Sequence, residues 1–342
     1  MRPLHVILVN RRPGQFWSIE ELFSNITSAF PEWVKTTVAT APQGGANPRT
    51  IVDNLRWAAS LRDCDVIHQT GDIHYAVLGI WRRPVVLTIH DLRFIEESRG
   101  LKRLLFWWWW LYLPCLRADR VTVISEFTKG RLLATCRVKP DKVRVIPNCV
   151  STEFGAQPKP WPACADGHRP PLQGKVRVLL VGTTENKNLT RVVEACSGLD
   201  VRLCILGKPT ETQQMQLANQ GVEHEIHHGL SRQEVVALYQ SCDLVCFVST
   251  YEGFGMPILE AQAIGRPVIT SDISPMREVA GEGALKVDPF DVTAIRDGLR
   301  RLMDGEDLRC ALVRHGFENV KKFSAEAVAM QYAETYLDVV GK

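Results

Sequence analysis

The chain has 342 residues, 45% hydrophobic and 23% charged, and its 41 basic and 38 acidic residues leave a net charge of +3. That composition excludes a disordered or fibrous chain, and the charge balance is too even to suggest nucleic-acid binding. The length suits two domains of ordinary size.

The opening stretch "MRPLHVILVNRRPG" has an apolar run of only Val6–Val9 before a basic pair, which reads as a first strand and not as a signal peptide. Further buried strands are expected at "VKTTVAT" (34–40), "DVIHQT" (65–70), "VVLTIH" (85–90), "VTVIS" (121–125) and "KVRVIP" (142–147), after "HVILVN" at 5–10. Helical patterns such as 18–30 and 54–62 separate most of them. This alternation implies a parallel α/β sheet with right-handed crossovers. Ser18 and Glu21 form a capping-box pattern at the first helix. "DCD" (63–65) has the look of an Asp-x-Asp metal motif, but its place before "VIH" reads as a strand-entry turn.

"RLLFWWWWLYLPCLR" (103–117) stands apart. The five consecutive aromatics Phe106–Trp110 point in every direction around a helix axis. The uncharged run Leu104–Leu116 is shorter than the roughly 20 residues of a spanning helix, and Pro114 is expected to interrupt it. No transmembrane span is expected. Arg99, Lys102 and Arg103 flank the run on one side, Arg117 and Arg120 on the other. Tryptophans with nearby cations suit a membrane surface, so a peripheral membrane contact through Phe106–Trp110 is one reading. A core helix with one face in a subunit contact is the other.

"QPKPWPACADGHRPPLQGK" (157–175) is rich in proline and glycine and reads as a linker. The alternation then resumes with "VRVLLVG" (176–182), "VRLCILG" (201–207), "EHEIHHG" (223–229), "DLVCFVS" (243–249), "PVITSD" (267–272) and "ALKVDP" (284–289). "FSAEAVAMQYAETYLDVV" (323–340) has helical spacing with Ser324 placed to cap it. The expected organisation is an N-terminal domain 1–158, a linker 159–174, a C-terminal domain 175–322, and a last helix 323–342 returning to the N-terminal domain. Ligands are expected at the carboxyl ends of the strands. Cys204, Cys242 and Cys246 sit inside apolar runs and read as buried thiols of a reducing compartment, hence a cytoplasmic protein.

"HEIHH" (224–228) fits the letters of a zinc motif, but that motif needs a helix to converge its histidines. Here the segment is strand-like, and a strand holds residues four apart too far from each other for one ion.

The richest segment is "STYEGFGMPILEAQAIGRPVITSD" (249–272). Gly253 and Gly255 allow close backbone approach, and Pro257 suits the first turn of a helix. That helix N-terminus would aim N–H groups at an anion. Glu252 precedes the helix and Glu260 lies about two turns further on, placed to grip hydroxyls. A Gly-Pro turn with solvated glutamates is the plain alternative.

"EGFGMPILEAQAIGRPVITSD" resembles the Glu-x7-Glu signature of retaining, nucleotide-sugar-dependent transferases of glycosyltransferase family four. The resemblance continues through "EVAGEGALKVDP" (278–289), "GLSRQEVVALYQSCDLVCFVS" (229–249) and "LLVGTTENKNLTRVVEA" (179–195). In the N-terminal half it runs through "VVLTIHDL" (85–92), "ADRVTVISEFTKGRL" (118–132) and "KVRVIPNCVSTEF" (142–154). It implies the GT-B architecture: two doubly wound Rossmann-like domains facing across a cleft. It also implies transfer of a hexose from a nucleotide-diphosphate sugar to a glycan or lipid-linked glycan in bacterial-type surface polysaccharide synthesis. No metal or further cofactor is implied. A catalytically silent nucleotide-sugar-binding partner of the same fold is the alternative.

The resemblance also implies roles. Glu252 would face the donor hexose, and the backbone of Gly253, Phe254, Gly255 and Met256 would meet sugar and diphosphate, with Pro257 and Ile258 adjoining. Glu260 would hold the ribose. Lys187 would neutralise the departing diphosphate, beside Gly182, Thr183 and Lys208. His228, Gly229 and Leu230 would line the base pocket. His90 would contact the sugar and orient the acceptor, although a lone histidine after a strand is more often structural. On the acceptor side stand Arg11, Arg12 and Gly14, or else a solvated basic turn, and Ser125 and Glu126, which could instead cap a helix. Two departures stand out. Near Lys187 the chain has Thr183, Thr184 and Asn186 where relatives carry a second cation, leaving Arg191 or Lys208 to substitute. In "PNCVS" (147–151), Cys149 replaces a glycine that adopts positive φ readily.

Overall fold

A computed structural model describes residues 2–12, 18–45, 47–155 and 175–341. The chain divides into two compact units, Met1–Cys149 with Ala325–Lys342, and Val150–Ser324. Gly14, the Ser18 side chain of the expected capping box and the linker 159–174 lie outside the described residues.

The first unit holds a six-stranded parallel sheet of β1 (Leu4–Asn10), β2 (Val34–Thr40), β3 (Val66–Gln69), β4 (Val85–Ile89), β5 (Arg120–Val123) and β6 (Val143–Val145). The spatial order is β2-β1-β3-β4-β5-β6. The strand pleat sends Ile7, Val9, Ile67 and Leu87 to one layer and Val6, Leu8, Val66 and Val86 to the other. Both faces of the central strands are covered, which is why β1, β3 and β4 read as mainly apolar runs. The second layer is closed by Phe23 and Ile26 of the helix Ser18–Ser28 and by Val328, Tyr332 and Tyr336 of the helix Ala325–Val340.

The second unit holds β7 (Val176–Val181), β8 (Val201–Leu206), β9 (Glu223–His227), β10 (Leu244–Phe247), β11 (Val268–Ser271) and β12 (Leu285–Val287). All are parallel, in the order β12-β11-β10-β7-β8-β9. "HEIHH" is thus largely strand β9, where Glu225 pairs with Arg177 and His227. In the "DCD" turn, Asp65 accepts the His5 N–H at 2.9 Å and anchors the entry to β3.

The unit boundary falls at Cys149, before residue 158, because the next residues pack on the second unit. The Val150 N–H donates to the Phe323 carbonyl at 2.9 Å. Phe154 is buried edge-on against Tyr239, 5.3 Å between centroids. The last helix begins at Ala325, after a 3-10 turn Lys321–Phe323. Cys149 does not take the positive φ of the glycine it replaces; among the described non-glycine residues only Asp72 and Asn188 do.

The tryptophan segment is one continuous helical run that Pro114 does not break. Gly100–Phe106 is α-helical, Trp107–Tyr112 is a π-helix, and Leu113–Arg117 is α-helical again. The Leu113 N–H reaches back five residues to the Trp108 carbonyl. Proline cannot donate to the carbonyl four residues before it. Here that carbonyl, on Trp110, accepts a 2.9 Å bond from His74 Nδ1 instead. The wider turn and the histidine together carry the run past the proline. Its aromatics sort by face. Phe106, Trp107, Trp110 and Tyr112 pack against the first unit's core, while Trp108 and Trp109 are exposed. No helix among the described residues is long and apolar enough to cross a membrane.

A polar chain crosses the first unit's core. His68 Nδ1 and the Tyr336 hydroxyl lie 2.7 Å apart, His68 Nε2 and Thr88 Oγ1 2.7 Å, and Thr88 and Thr122 hydroxyls 2.6 Å. Burial, with a smaller contribution from His90, lowers the His68 pKa to about 3, and burial lowers His74 to about 4. Both are therefore neutral in the folded protein, whereas the unfolded chain protonates them below about 6.5. Their stabilisation is complete above that value and declines as pH falls towards the folded values, at up to about 1.4 kcal/mol per pH unit for each. The thermal midpoint should fall between pH 6.5 and 5, before carboxylates titrate; a flat midpoint over that window would contradict the assignment.

Candidate active site

In the second unit the strand order reverses between β7 and β10, the place where open α/β sheets bind ligands outside the carboxyl ends of their strands. After β7 the chain turns at Gly182, with φ +90°. A Cβ there would lie 2.9 Å from Lys187 Cγ, so glycine leaves room for the lysine stem. Lys187 Nζ is 2.6 Å from Glu252 Oε1 and 4.7 Å from the centre of the Phe247 ring. Its position is fixed by its neighbours. Asn186 Nδ2 donates to the Tyr251 carbonyl at 2.9 Å and to Glu252 Oε1 at 3.3 Å, while the Asn186 carbonyl accepts from Thr250 N–H at 2.8 Å. Asn188, in left-handed conformation at φ 62°, buries its amide and donates to the carbonyls of Val248 at 3.0 Å and Pro289 at 2.7 Å. The loop after β7 is thereby tied to the loop after β10.

Gly255, at φ 124°, precedes the helix Met256–Ile264, with Pro257 in its first turn. Phe254 is buried and lies edge-on to Phe323, 6.0 Å between centroids. Ile258 contributes to the packing beneath this helix start. Its side chain is fully buried and its N–H donates to the Gly255 carbonyl at 3.0 Å. Glu260 is also buried. The Tyr239 hydroxyl donates to its Oε2 at 2.6 Å, and Arg232 Nη1 lies 3.5 Å from its Oε1. Arg232 is positioned in turn by Glu153, at 3.2 Å, and by the Phe154 ring, at 4.5 Å. Burial and the Glu260 charge raise the Tyr239 pKa well above its usual value, so the phenol stays a donor.

The other expected donor residues share this carboxyl edge. The Thr183 hydroxyl donates to the Lys208 carbonyl at 3.0 Å, and the Lys208 side chain is exposed. His228, Gly229 and Leu230 form the turn after β9, before the capping box of Ser231 and Glu234. Arg191 is engaged elsewhere: it donates to Asn188 Oδ1 at 2.9 Å and stacks on Phe290. Of the two cations expected to substitute beside Lys187, Lys208 is the one free of such packing.

The first unit has its own cavity, of about 460 Å³, at the carboxyl ends of β1, β3 and β4. Arg11, Arg12, Asp72, His74, His90 and Asp91 supply its polar wall; Ile19, Phe94, Phe106 and Trp110 supply the apolar one. His90 Nε2 donates to the Thr70 carbonyl at 2.8 Å, and burial lowers its pKa. The neutral ring then presents Nδ1 as an acceptor. Gly71 is required beside it, since a Cβ would come 2.9 Å from His90 Cδ2. Burial raises the Asp91 pKa, and Asp91 Oδ1 accepts the Arg93 N–H at 3.1 Å. Arg11 is tied to Glu20 at 2.8 Å and to Asp72. Ser125 and Glu126 do not line this cavity. The Ser125 hydroxyl accepts from Thr128 N–H at 3.1 Å as the cap of the helix Glu126–Thr135, and Glu126 is exposed in its first turn.

The family model for glycosyltransferase family 4 matches residues 5–154, and that for glycosyl transferases group 1 matches residues 169–318. An O-antigen chain mannosyltransferase B of Escherichia coli is 34% identical, over 73% of this chain and 69% of that protein. The chain belongs to glycosyltransferase family 4. Within this family, a D-inositol 3-phosphate glycosyltransferase of Corynebacterium efficiens is 31% identical, over 80% of this chain and 70% of that protein. An MMP alpha-(1->4)-mannosyltransferase of Mycolicibacterium hassiacum is 27% identical, over 95% and 79%. The fold is that of solved GT-B glycosyltransferases. A glycosyltransferase from Rickettsia africae superposes with a TM-score of 0.75 at 17% identity over 99% of both chains. Anabaena Alr3699/HepE, solved with UDP and glucose, gives 0.70 at 15% identity over 96% of this chain and 98% of that one.

The residues that sequence reasoning missed are the amides that hold this family-4 site together, Asn186 and Asn188. An asparagine on either side of a lysine was a usable signal, because asparagine tolerates the left-handed conformation and bonds nearby backbone. Asn188→Ala removes two buried donors and the tolerance for positive φ. It should cost about 3 kcal/mol, read from denaturant unfolding; a loss below about 1 kcal/mol would contradict the tie.

Proposed function

We propose that the protein is a retaining, metal-independent hexosyltransferase. It moves a hexose from a nucleotide-diphosphate sugar to a hydroxyl of a glycan or lipid-linked glycan in bacterial-type surface polysaccharide synthesis. The observation that carries this reading is the Lys187–Glu252 pair at the switch point of the second sheet, 2.6 Å between charged atoms. As the bond from sugar to phosphate lengthens, negative charge gathers on the diphosphate. A cation already held at that point stabilises the charge without having to be ordered during the reaction. Lys187 is that cation in this account, with Lys208 as the second, exposed one. Glu252 takes hydroxyls of the hexose. Glu260, held by Tyr239 and Arg232, takes those of the ribose.

The acceptor hydroxyl belongs to the cavity of the first unit. There Nδ1 of His90 accepts a hydrogen bond and the aromatic wall offers a face to a sugar ring. Transfer requires donor and acceptor groups to be brought together on the substrates. Two of the relatives described above, the O-antigen chain mannosyltransferase B and the MMP mannosyltransferase, support a mannose-class hexose. A cytoplasmic site is supported by the thiols: eight of the described cysteines, Cys204, Cys242 and Cys246 among them, are buried and outside any disulfide.

The test is turnover of a panel of nucleotide sugars with a glycan acceptor. Lys187→Ala and Glu252→Gln should each lower kcat by about 100-fold or more with an unchanged thermal midpoint. NMR of the product should show the donor's anomeric configuration. Inversion would remove the retaining assignment, and no turnover or binding of any donor would remove the enzyme.

A further inference from the structure

The helical run 100–117 has two apolar faces, and only one is covered. Phe106 and Trp110 face inward and form part of the cavity wall. On the outer side Leu101 is 71% exposed, Leu104 51%, Leu105 50%, Trp108 40%, Trp109 45% and Leu116 49%. The first five follow the i, i+3, i+4, i+7, i+8 spacing of one helix face and form a stripe, with Leu116 seven residues further on. Large side chains exposed singly are ordinary, whereas a contiguous stripe of five marks a surface made for contact.

Its charge is one-sided. From Ser98 to Ala118 there is no aspartate or glutamate, while Arg99, Lys102 and Arg103 are exposed beside the stripe. The nearest acids are already paired: Glu96 with Arg131, Glu97 with Arg93 at 2.9 Å, and Asp119 with Arg117 at 3.5 Å. The run itself carries no acid to oppose an anionic surface. At the far end Arg117 donates to the carbonyls of Ile80, at 2.6 Å, and Arg83, at 3.1 Å. Beside those carbonyls Trp81 is 80% exposed and Arg82 is exposed too. Tryptophans with cations along an apolar stripe match the interface of an anionic bilayer, where rings sit among the head groups and cations meet phosphates.

We propose that this outer face docks on an anionic lipid surface, with Trp108 and Trp109 seated at head-group depth. A second copy of the chain would fit the apolar stripe but would bring the same cations against one another; an anionic surface satisfies stripe and charge together. One helix then meets lipid on its outer side and the acceptor cavity on its inner side. Resting on the proposed transfer reaction, this places the cavity where the sugar of a lipid-linked acceptor emerges from the bilayer. The π-helical turn at Trp107–Tyr112 sets which aromatics face which way.

The experiment is sedimentation of the full chain with vesicles of phosphatidylglycerol and phosphatidylethanolamine, against pure phosphatidylcholine, at low and high salt. It needs no donor or acceptor, so its failure is distinct from failure of the transferase reading. The wild type should bind the anionic vesicles at low salt and release at high salt. Lys102→Glu with Arg103→Glu should weaken binding by about fivefold or more per cation removed. Trp108→Ser with Trp109→Ser should weaken vesicle binding and lower quenching by head-group-proximal brominated lipid, with thermal midpoints unchanged in both variants. Absence of binding to anionic vesicles, or binding indifferent to both variants, would overturn the proposal. So would a wild-type dimer in light scattering that the tryptophan variant converts to monomer, because the stripe would then belong to a second copy.

Discussion

The site depends on one constraint: a lysine and a glutamate must be held together at the carboxyl edge of a parallel sheet, on loops more than sixty residues apart in sequence. Lys187 and Glu252 meet at 2.6 Å only because Asn186 and Asn188 bind the backbone that follows β10. Gly182 leaves space for the lysine stem, and Phe247 supports the ammonium from beneath. Each part makes the next possible. The reversed strand order opens the crevice, the amides close the two loops over it, and the charged pair is left at its edge. Such a pair is weak evidence for stability; under the proposed reaction its value is a cation already in position.

Much of this was legible in the residues. The central parallel strands announced themselves because both faces are covered there, so β3, β4, β10 and β11 are buried throughout, whereas the edge strands β2 and β9 carry polar residues. Ten of the twelve observed strands sit inside the expected ones, and β1 and β5 each begin one residue earlier, at Leu4 and Arg120. The placing of the two glutamates on a loop and on the helix it enters was visible because glycine, proline and acid recur at the spacing such a loop requires, whereas Lys187 was singled out only by the family resemblance. The amide ties were not visible, since no local pattern says which carbonyl sixty residues away an asparagine will meet. Ser125 illustrates the reverse case. Its position after a strand fitted an acceptor contact and a helix cap equally, and the geometry gives it the cap.

The tryptophan run shows how a small local irregularity can have large consequences. Periodicity alone cannot reveal a turn that holds an extra residue, nor that His74 will accept the duty of a missing proline N–H. Those two features keep the helix continuous past Pro114. They also divide its rings between the core and the outside. The same buried histidines bind the first unit's fold to pH: His68 ties the last helix to the sheet, and His74 ties the tryptophan run to the cavity.

The central claim is that Lys187 supplies the positive charge for a nucleoside diphosphate. Calorimetric titration of UDP, GDP and ADP into the protein in the presence of EDTA tests it directly. At least one should bind at a single site, and Lys187→Ala should weaken that binding by about tenfold or more. Binding that appears only when a divalent cation is added, or that is the same with and without the lysine, would contradict the account.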